Sequence, residues 1–220
     1  EANALTGGGG NDTITGGAGA DTINAGSGDD TLIYADGADL SGDTSVDGGA
    51  GNDTVRFTSA SADVDDEDFA NVAADSVETI ELTGDGNTSL TLGASGDAAT
   101  NNLTITGADQ TAAGSGDTID VSSMSEAMTI NAGSGADTIT GGGGSDTINA
   151  GSGDDTITGG AGADDLAGGA GDDTFKFSTG DVAAGETLSD SSGTTTVSTA
   201  GGGSVDFSQL NSGDQALSDI

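Results

Sequence analysis

The sequence of 220 residues contains no cysteine, histidine, proline or tryptophan. Without cysteine, neither a disulfide nor a thiolate metal site can hold the fold together. Without histidine, the side chain most often used in general acid–base catalysis is missing, and a nucleophilic serine lacks its usual base. These absences predict that the chain has no enzymatic activity.

Basic side chains are almost absent as well. Arg56 and Lys176 stand against 38 acidic residues, which gives a formal net charge of −36. A charge of this sign argues against nucleic acid and anionic membranes as direct partners, because both repel a polyanion. No hydrophobic run is long enough to span a bilayer, so we expect no direct membrane insertion. Self-repulsion further predicts that the metal-free chain is disordered.

Glycine is abundant, with 42 residues, and much of it lies in a repeat of nine residues. The repeat has the pattern G-G-x-G-x-D-x-U-x, in which U is apolar. It occurs at 7–15, 16–24, 25–33 and 48–56, and then five times without interruption from 132 to 176. A flexible linker has no reason to keep an aspartate column and an apolar column in phase through so many copies.

Each conserved position of the repeat has a physical role. Glycines at positions one, two and four are predicted to take positive φ and to let carbonyl oxygens converge. The position-six aspartate adds charge to that oxygen-rich turn, which is the environment that calcium prefers. The last three residues alternate polar and apolar and therefore predict a short strand whose position-eight side chain points inward.

These nonapeptides resemble the RTX (repeats-in-toxin) calcium-binding family. The resemblance implies an all-β fold, a right-handed parallel β-roll or β-solenoid with two repeats per coil, and several Ca²⁺ ions bound in the Gly/Asp-rich turns. Departures from the motif are small: alanine replaces the first glycine at Ala25, Ala132 and Ala150, and Asp165 replaces the usual threonine.

The resemblance also implies the ligands, carried over to matching positions only. The expected aspartates are Asp12, Asp21, Asp30, Asp53, Asp137, Asp146, Asp155, Asp164 and Asp173. The pairs expected to share ions are Asp12–Asp30, Asp137–Asp155, Asp146–Asp164 and Asp155–Asp173, whereas Asp21 and Asp53 are expected in incomplete sites. The expected carbonyl ligands are Gly16, Ala18, Ala25, Ser27, Gly141, Gly143, Ala150, Ser152, Gly159, Ala161, Gly168 and Ala170.

The repeat blocks divide the chain into four segments. We expect a first RTX block over 1–56, an irregular solenoid with longer turns over 57–128, a second RTX block over 129–176, and a strand and loop segment over 177–220. Within the middle, 79–82, 89–92, 102–105 and 117–121 alternate with period two and predict strands. The acidic cluster Asp63, Asp65, Asp66, Glu67 and Asp68 is interpreted as a solvated turn or helix start, with a separate metal site as the alternative.

The two ends of the sequence resemble an internal segment when joined. Ile220 followed by residues 1–7 aligns without gaps on 77–84, and 206–210 corresponds to 68–72. We therefore expect one period of a longer tandem array, the alternative being an arbitrary boundary. Because an uncapped solenoid exposes strand edges, the expected partners are copies of the same chain, head-to-tail and laterally.

Three non-enzymatic functions are consistent with these features. The first is a structural calcium-binding unit of an extracellular bacterial assembly such as a surface layer, sheath or filament, exported by type I secretion. The second is the RTX region of a type I secreted toxin or hydrolase. The third is an extender of a giant adhesin, with ice binding through outward threonines as one version. In each case the chain is expected to fold outside the cell, where calcium is plentiful.

Overall fold

The computed structural model describes residues 1–73, 76–93, 103–107, 115–178, 181, 183 and 185–199. In this part of the chain, nineteen strands form three parallel sheets, and consecutive strands alternate between opposite sheets. The chain therefore winds as a β-solenoid of about eight turns with almost no helix, which confirms the predicted all-β, parallel fold.

One sheet, called sheet B, runs the length of the solenoid, and the other wall is shared by sheets A and C. Sheet B consists of β2 (Thr13–Ile14), β4 (Thr31–Tyr34), β6 (Thr54–Phe57), β8 (Thr79–Leu82), β10 (Thr104–Thr106), β12 (Thr129–Ser134), β14 (Thr147–Ser152), β16 (Asp165–Ala170) and β18 (Thr187–Ser189). Sheet A consists of β1 (Ala4–Gly9), β3 (Thr22–Ser27) and β5 (Ser45–Ala50). Sheet C consists of β7 (Asp63–Asp65), β9 (Ser89–Thr91), β11 (Thr118–Asp120), β13 (Thr138–Thr140), β15 (Thr156–Thr158), β17 (Thr174–Phe177) and β19 (Thr196–Thr199).

The position-eight residues stack in register and form the core. Along sheet B, for example, Leu32 pairs with Val55 and Ile148 pairs with Leu166. All four of these side chains are at most 1% exposed. Their β-branched or aliphatic shapes suit a pleated, half-buried surface, and the polar residues before them face outward. The inward position-eight column was predicted from the sequence alone.

The middle of the chain has longer coils around a larger core. The strands predicted there correspond to β8, β9, β10 and β11. Tyr34 and Phe57 lie with ring centroids 6.3 Å apart, and Phe57 meets Phe69 edge-on at the same separation. Phe69 ends a 3₁₀-helix over Asp66–Phe69, so the acidic cluster is a helix start: Asp65 Oδ1 accepts the Glu67 N–H at 2.9 Å.

A short helix, α1 (Gly37–Ser41), lies between β4 and β5 and was not predicted from the sequence. The Asp36 side chain caps it by accepting the Asp39 N–H at 3.2 Å, and Leu40 is fully buried. Its single turn carries too short an apolar pattern to stand out from a loop. The helix widens the coil at the point where the aromatic cluster begins.

Within the residues that the structure describes, the coils are longer than an 18-residue repeat suggests. At 18 residues each, the sequence predicts about 12 coils and a length of about 60 Å. In the structure the spacing is 18 residues from Thr129 to Thr147 but 25 from Thr54 to Thr79 and 29 from Ser89 to Thr118. The nine strands of sheet B therefore span about 38 Å, because strands stack about 4.8 Å apart.

Glycine has two distinct roles in the turns. The prediction that the position-one glycine takes positive φ is wrong. Positions two and four take positive φ in every repeat except 141–149, as in Gly26 (115°) and Gly28 (123°), whereas Gly7 and Gly16 at position one do not. A Cβ on Gly26 would lie 2.2 Å from the Gly8 carbonyl oxygen, so this column also allows coils to stack closely. Gly8, in the first coil, would meet no atom within 4 Å.

No helix in the described ranges is long and apolar enough to cross a membrane. The predicted junction between Ile220 and Glu1, and the correspondence of 206–210 with 68–72, involve residues outside the described part of the chain.

Replacing Gly26 with alanine is expected to destabilise the solenoid more than the same change at Gly8. Both positions take positive φ, which costs about 1–2 kcal/mol for a side chain. Only Gly26 adds a clash with a backbone carbonyl, worth about 1–3 kcal/mol more. Urea unfolding at saturating calcium measures the difference, and equal destabilisation by G8A and G26A would contradict close coil stacking.

Candidate metal centre

The residues immediately before the strands form ladders along the solenoid. Because the strands pair in register, these residues lie one above another, coil after coil. The ladder beside sheet B contains, in order, Asp12, Asp30, Asp53, Glu78, Leu103, Met128, Asp146, Asp164 and Glu186. The ladder beside sheet C contains Ala62, Thr88, Asp117, Asp137, Asp155, Asp173 and Thr195.

Except for Asp12, which lies beside the first strand of sheet B, each ladder carboxylate uses one oxygen to hold the preceding coil. Asp30 Oδ1 accepts the Asp12 N–H at 2.7 Å, and Asp155 Oδ1 accepts the Asp137 N–H at 2.8 Å. Asp164 Oδ1 accepts the Asp146 N–H at 2.9 Å. A charged acceptor makes these bonds stronger than bonds between neutral groups. The side chain thereby replaces a backbone acceptor at the turn, where the strand ladder is interrupted.

The second oxygen of most ladder carboxylates is buried without a hydrogen-bond partner. This holds for the Oδ2 atoms of Asp12, Asp21, Asp30, Asp53, Asp137, Asp155, Asp164 and Asp173. Apart from Asp12, each of these residues is at most 1% exposed. Leaving a charged oxygen buried and unpaired is costly, so buried carboxylates are normally paired, protonated or bound to metal.

All four predicted aspartate pairs lie in neighbouring coils and are joined by the bonds described above, including Asp155 to Asp173 at 3.0 Å. The two residues expected in incomplete sites also have acidic neighbours. Asp21 immediately precedes β3 of sheet A, and its N–H donates to Asp43 Oδ1 at 3.0 Å. Asp53 lies between Asp30 and Glu78. Whether any of these residues binds calcium remains a prediction.

At Gly7 and Gly141, which hold position one, a carboxylate and a carbonyl occupy the space that a side chain would need, whereas Ala25, Ala132 and Ala150 accommodate a Cβ at the same position of their repeats. A Cβ on Gly7 would lie 2.5 Å from Asp12 Oδ2 and 2.5 Å from the Ala25 carbonyl oxygen. On Gly141 it would lie 2.7 Å from Asp146 Oδ2 and 2.2 Å from the Gly159 carbonyl oxygen. An acidic oxygen and a carbonyl oxygen of the next coil therefore converge on the same space.

Six of the twelve predicted carbonyl ligands lie in turns between strands, and the other six lie at the carboxyl ends of β3, β14 and β16. Several of them accept backbone hydrogen bonds. The Ser27 carbonyl accepts the Gly10 N–H at 2.7 Å, and the Ser152 carbonyl accepts the Gly135 N–H at 2.8 Å. The Ala170 carbonyl accepts the Gly153 N–H, and the Ala18 carbonyl accepts the amino-terminal ammonium of Glu1. A carbonyl oxygen has two lone pairs, so one such bond leaves capacity for a metal.

Asp146 differs from the other ladder aspartates. Its Oδ1 accepts the Met128 N–H at 2.8 Å, and its Oδ2 accepts the Gly142 N–H at 2.9 Å. Both oxygens are therefore occupied, and the neighbour on one side is the apolar Met128. Of the four predicted pairs, Asp146–Asp164 has the weakest case for sharing an ion.

The electrostatics of the ladders favour protonation when no cation is present. Burial raises the pKa of Asp137 and Asp164 to about 6 and the pKa of Asp155 to about 7. Burial, followed by the Asp164 carboxylate, raises the pKa of Glu186 to about 7. A divalent ion would reverse this preference, because it stabilises the ionised carboxylates instead.

The oxygens beside the ladders fit calcium because they include carbonyl as well as carboxylate oxygens. Nowhere in the described ranges do three acidic side chains lie close enough together to hold a metal ion by themselves. A site must therefore combine carboxylate with carbonyl oxygens, which is the ligand set of Ca²⁺. The unpaired Oδ2 atoms and the carbonyls that converge beside position one provide both kinds of oxygen.

The fold and its ladders define a tandem-repeat β-solenoid with oxygen-lined turns. A family model described as the RTX calcium-binding nonapeptide repeat matches four segments, 6–41, 40–56, 129–157 and 140–175. The chain carries RTX calcium-binding repeats, as the sequence predicted, and these imply calcium binding. The RTX β-roll is a structural fold that occurs in secreted proteins. Neither the curated proteins nor the solved structures that were compared gave a match.

The sequence motif did not identify several ladder residues, because they lie outside the nonapeptide repeats. Asp117, Glu78 and Glu186 each precede a threonine and an aliphatic residue, as the position-six aspartates do. All three lie between or beyond the matched segments. The triplet of an acidic residue, threonine and an aliphatic residue is the sequence pattern that could have identified them.

Replacing Asp155 with asparagine is expected to raise the calcium concentration needed for folding at least about tenfold, which corresponds to about 1.4 kcal/mol. The neighbouring Asp154 is exposed, so D154N removes the same charge and should shift the midpoint less than about twofold. Calcium titrations followed by circular dichroism compare the two variants. Equal midpoints would mean that the buried ladder has no special part in calcium binding.

The metal-free protein is expected to lose stability as pH rises from about 4 to about 7. The raised pKa values mean that the folded state binds more protons than the unfolded chain in this window. Acidification in chelator should therefore promote β structure, whereas in calcium it should raise the calcium midpoint, because protons compete for the ligands. Compared with D154N, D155N should weaken the pH dependence of β structure in chelator and the pH dependence of the calcium midpoint. Metal-free stability that increases with pH would contradict this account.

Proposed function

We propose that the chain is a structural calcium-binding repeat unit of an extracellular bacterial assembly such as a surface layer, sheath or filament. The observation that supports it most is the pair of carboxylate ladders, with one oxygen bonded between coils and the other buried and unpaired. The hydrogen bonds of the ladders join each coil to the next. Calcium therefore stabilises the solenoid directly and acts as a folding ligand.

Folding that requires calcium links the protein to the outside of the cell. Extracellular modules bind Ca²⁺ at about 10⁻⁴–10⁻³ M, well above cytosolic concentrations. The chain would stay unfolded in the cytosol, where 38 acidic residues repel one another. An unfolded chain is suited to export, and type I secretion is the route proposed here. After export, calcium would trigger folding.

Open strand edges support self-association. In the described chain β1 and β2 are the edge strands of sheets A and B. Their inward residues, Leu5 and Ile14, are only partly buried, and Gly8 has free space where later glycines meet a carbonyl. A strand edge with an apolar inner face accepts another strand. Stacking of a second copy, head-to-tail, would bury these residues, and lateral contacts between rods would produce a layer.

An extender of a larger adhesin is the second candidate. Sheet C presents outward threonines in register, Thr138 with Thr156 and Thr140 with Thr158. Such rows also arise from the ordinary β-propensity of threonine. Under this alternative the protein folds in calcium but remains a single rod.

Calcium should induce β structure and polymers, and excess chelator should abolish both. Light scattering and electron microscopy measure assembly, and circular dichroism measures folding. Leu5→Lys places a charge on the inner side of the edge strand and should block assembly while leaving most β structure intact. Thr6→Lys, which is exposed on the same strand, is the matched control and should assemble.

Two results would contradict the proposal in different ways. A fold that survives excess chelator would remove calcium as the folding ligand. Folded single rods at high calcium, with no effect of L5K, would favour the adhesin extender over the assembly unit.

A further inference from the structure

The ladder beside sheet B continues one coil past the last aspartate of each block. Glu78 follows Asp53, and Glu186 follows Asp164, in register because their next residues pair as Thr54 with Thr79 and Asp165 with Thr187. Both glutamates lie outside the segments that match the RTX family model. The nonapeptide count therefore ends before the carboxylate ladder does.

The glutamates make the same contact between coils as the aspartates. Glu78 Oε2 accepts the Asp53 N–H at 2.7 Å, and Glu186 Oε2 accepts the Asp164 N–H at 3.4 Å. Their coils are longer, 25 and 22 residues instead of 18. The additional methylene of glutamate lets the carboxylate occupy the ladder position from a coil of different length.

Glu186 also leaves an oxygen buried and unpaired. The residue is 0% exposed, and its Oε1 has no hydrogen-bond partner. Asp164 Oδ2, from the preceding coil, is buried and unpaired in the same way. Two neighbouring coils thus contribute one unpaired carboxylate oxygen each, which is the arrangement found between the aspartates of the repeats.

The chain has no side-chain cation to neutralise this pair. Its only basic residues are Arg56, which pairs with Glu81 at 2.5 Å, and Lys176, which is exposed. Asp181 adds a third negative charge that acts on both Asp164 and Glu186. Burying these charges near one another is unfavourable unless a cation joins them.

We propose that Glu186 is a calcium ligand, which binds an ion together with Asp164, and that Glu78 does the same with Asp53. The calcium ladder then extends one coil beyond each nonapeptide block and ends in a glutamate. This inference rests on the proposed calcium-dependent folding. It adds ligands that the nine-residue motif does not contain.

The test is the number of calcium ions bound by E186Q. Glutamine keeps the length of the side chain and its ability to accept the Asp164 N–H, but it lacks the charge. Native mass spectrometry of the calcium-loaded chain should show one ion fewer than in the wild type, and the calcium midpoint of folding should rise. D165N removes an exposed charge one residue from Asp164 and should bind the full number of ions.

E78Q provides an independent measurement in the other block and should also lose one ion, so the count can be made even if E186Q does not fold. Wild-type ion numbers and midpoints in E186Q or E78Q would overturn the corresponding assignment. A wild type that folds without calcium would instead overturn the proposed function, so the two failures can be distinguished.

Discussion

The structure depends on one contact, the hydrogen bond from a backbone N–H to the carboxylate of the residue one coil further along the solenoid. In Asp12–Asp30 and Asp137–Asp155 this bond holds the turns together at 2.7 and 2.8 Å. It fixes the carboxylate and leaves its other oxygen facing the interior, without a partner. The same bond that orders the coil therefore leaves a buried carboxylate oxygen without a partner, and under the proposed function a bound cation would pair with that oxygen.

The glycines of the repeat follow from that contact. A side chain on Gly7 or Gly141 would collide with the carboxylate and with a carbonyl of the next coil. A side chain on Gly26 would collide with the preceding coil and would also need an unfavourable φ. At Gly7 and Gly141 position one is thus constrained by the ladder carboxylate and a carbonyl, whereas positions two and four are constrained by backbone conformation and stacking. One residue type serves two separate physical demands within nine residues.

The sequence predicts those parts of the molecule that repeat with a fixed period. The aspartate and aliphatic columns could be located because each recurs every nine residues, and register follows from that count. Glu78 and Glu186 could not be located in this way, because their coils have 25 and 22 residues and the period is lost. The helix α1 was missed for a related reason, since a single turn is fixed by its Asp36 cap and by burial of Leu40. The cap and the burial of Leu40 depend on tertiary structure and leave little pattern in the local sequence.

In the middle of the solenoid, apolar side chains take the ladder positions that carboxylates hold in the repeat blocks. At Leu103 and Met128 the ladder beside sheet B is apolar, and both residues are at most 2% exposed. Nearby coils bury Phe57, Phe69 and Leu82, which are larger than the position-one glycines and alanines of the repeat blocks. Hydrophobic burial here needs no cation. Because each coil of a solenoid contacts only its neighbours, this segment can hold sheet B in register between the two blocks that carry the carboxylate ladders. Under the proposed function, calcium would then add order outward from the middle toward both ends.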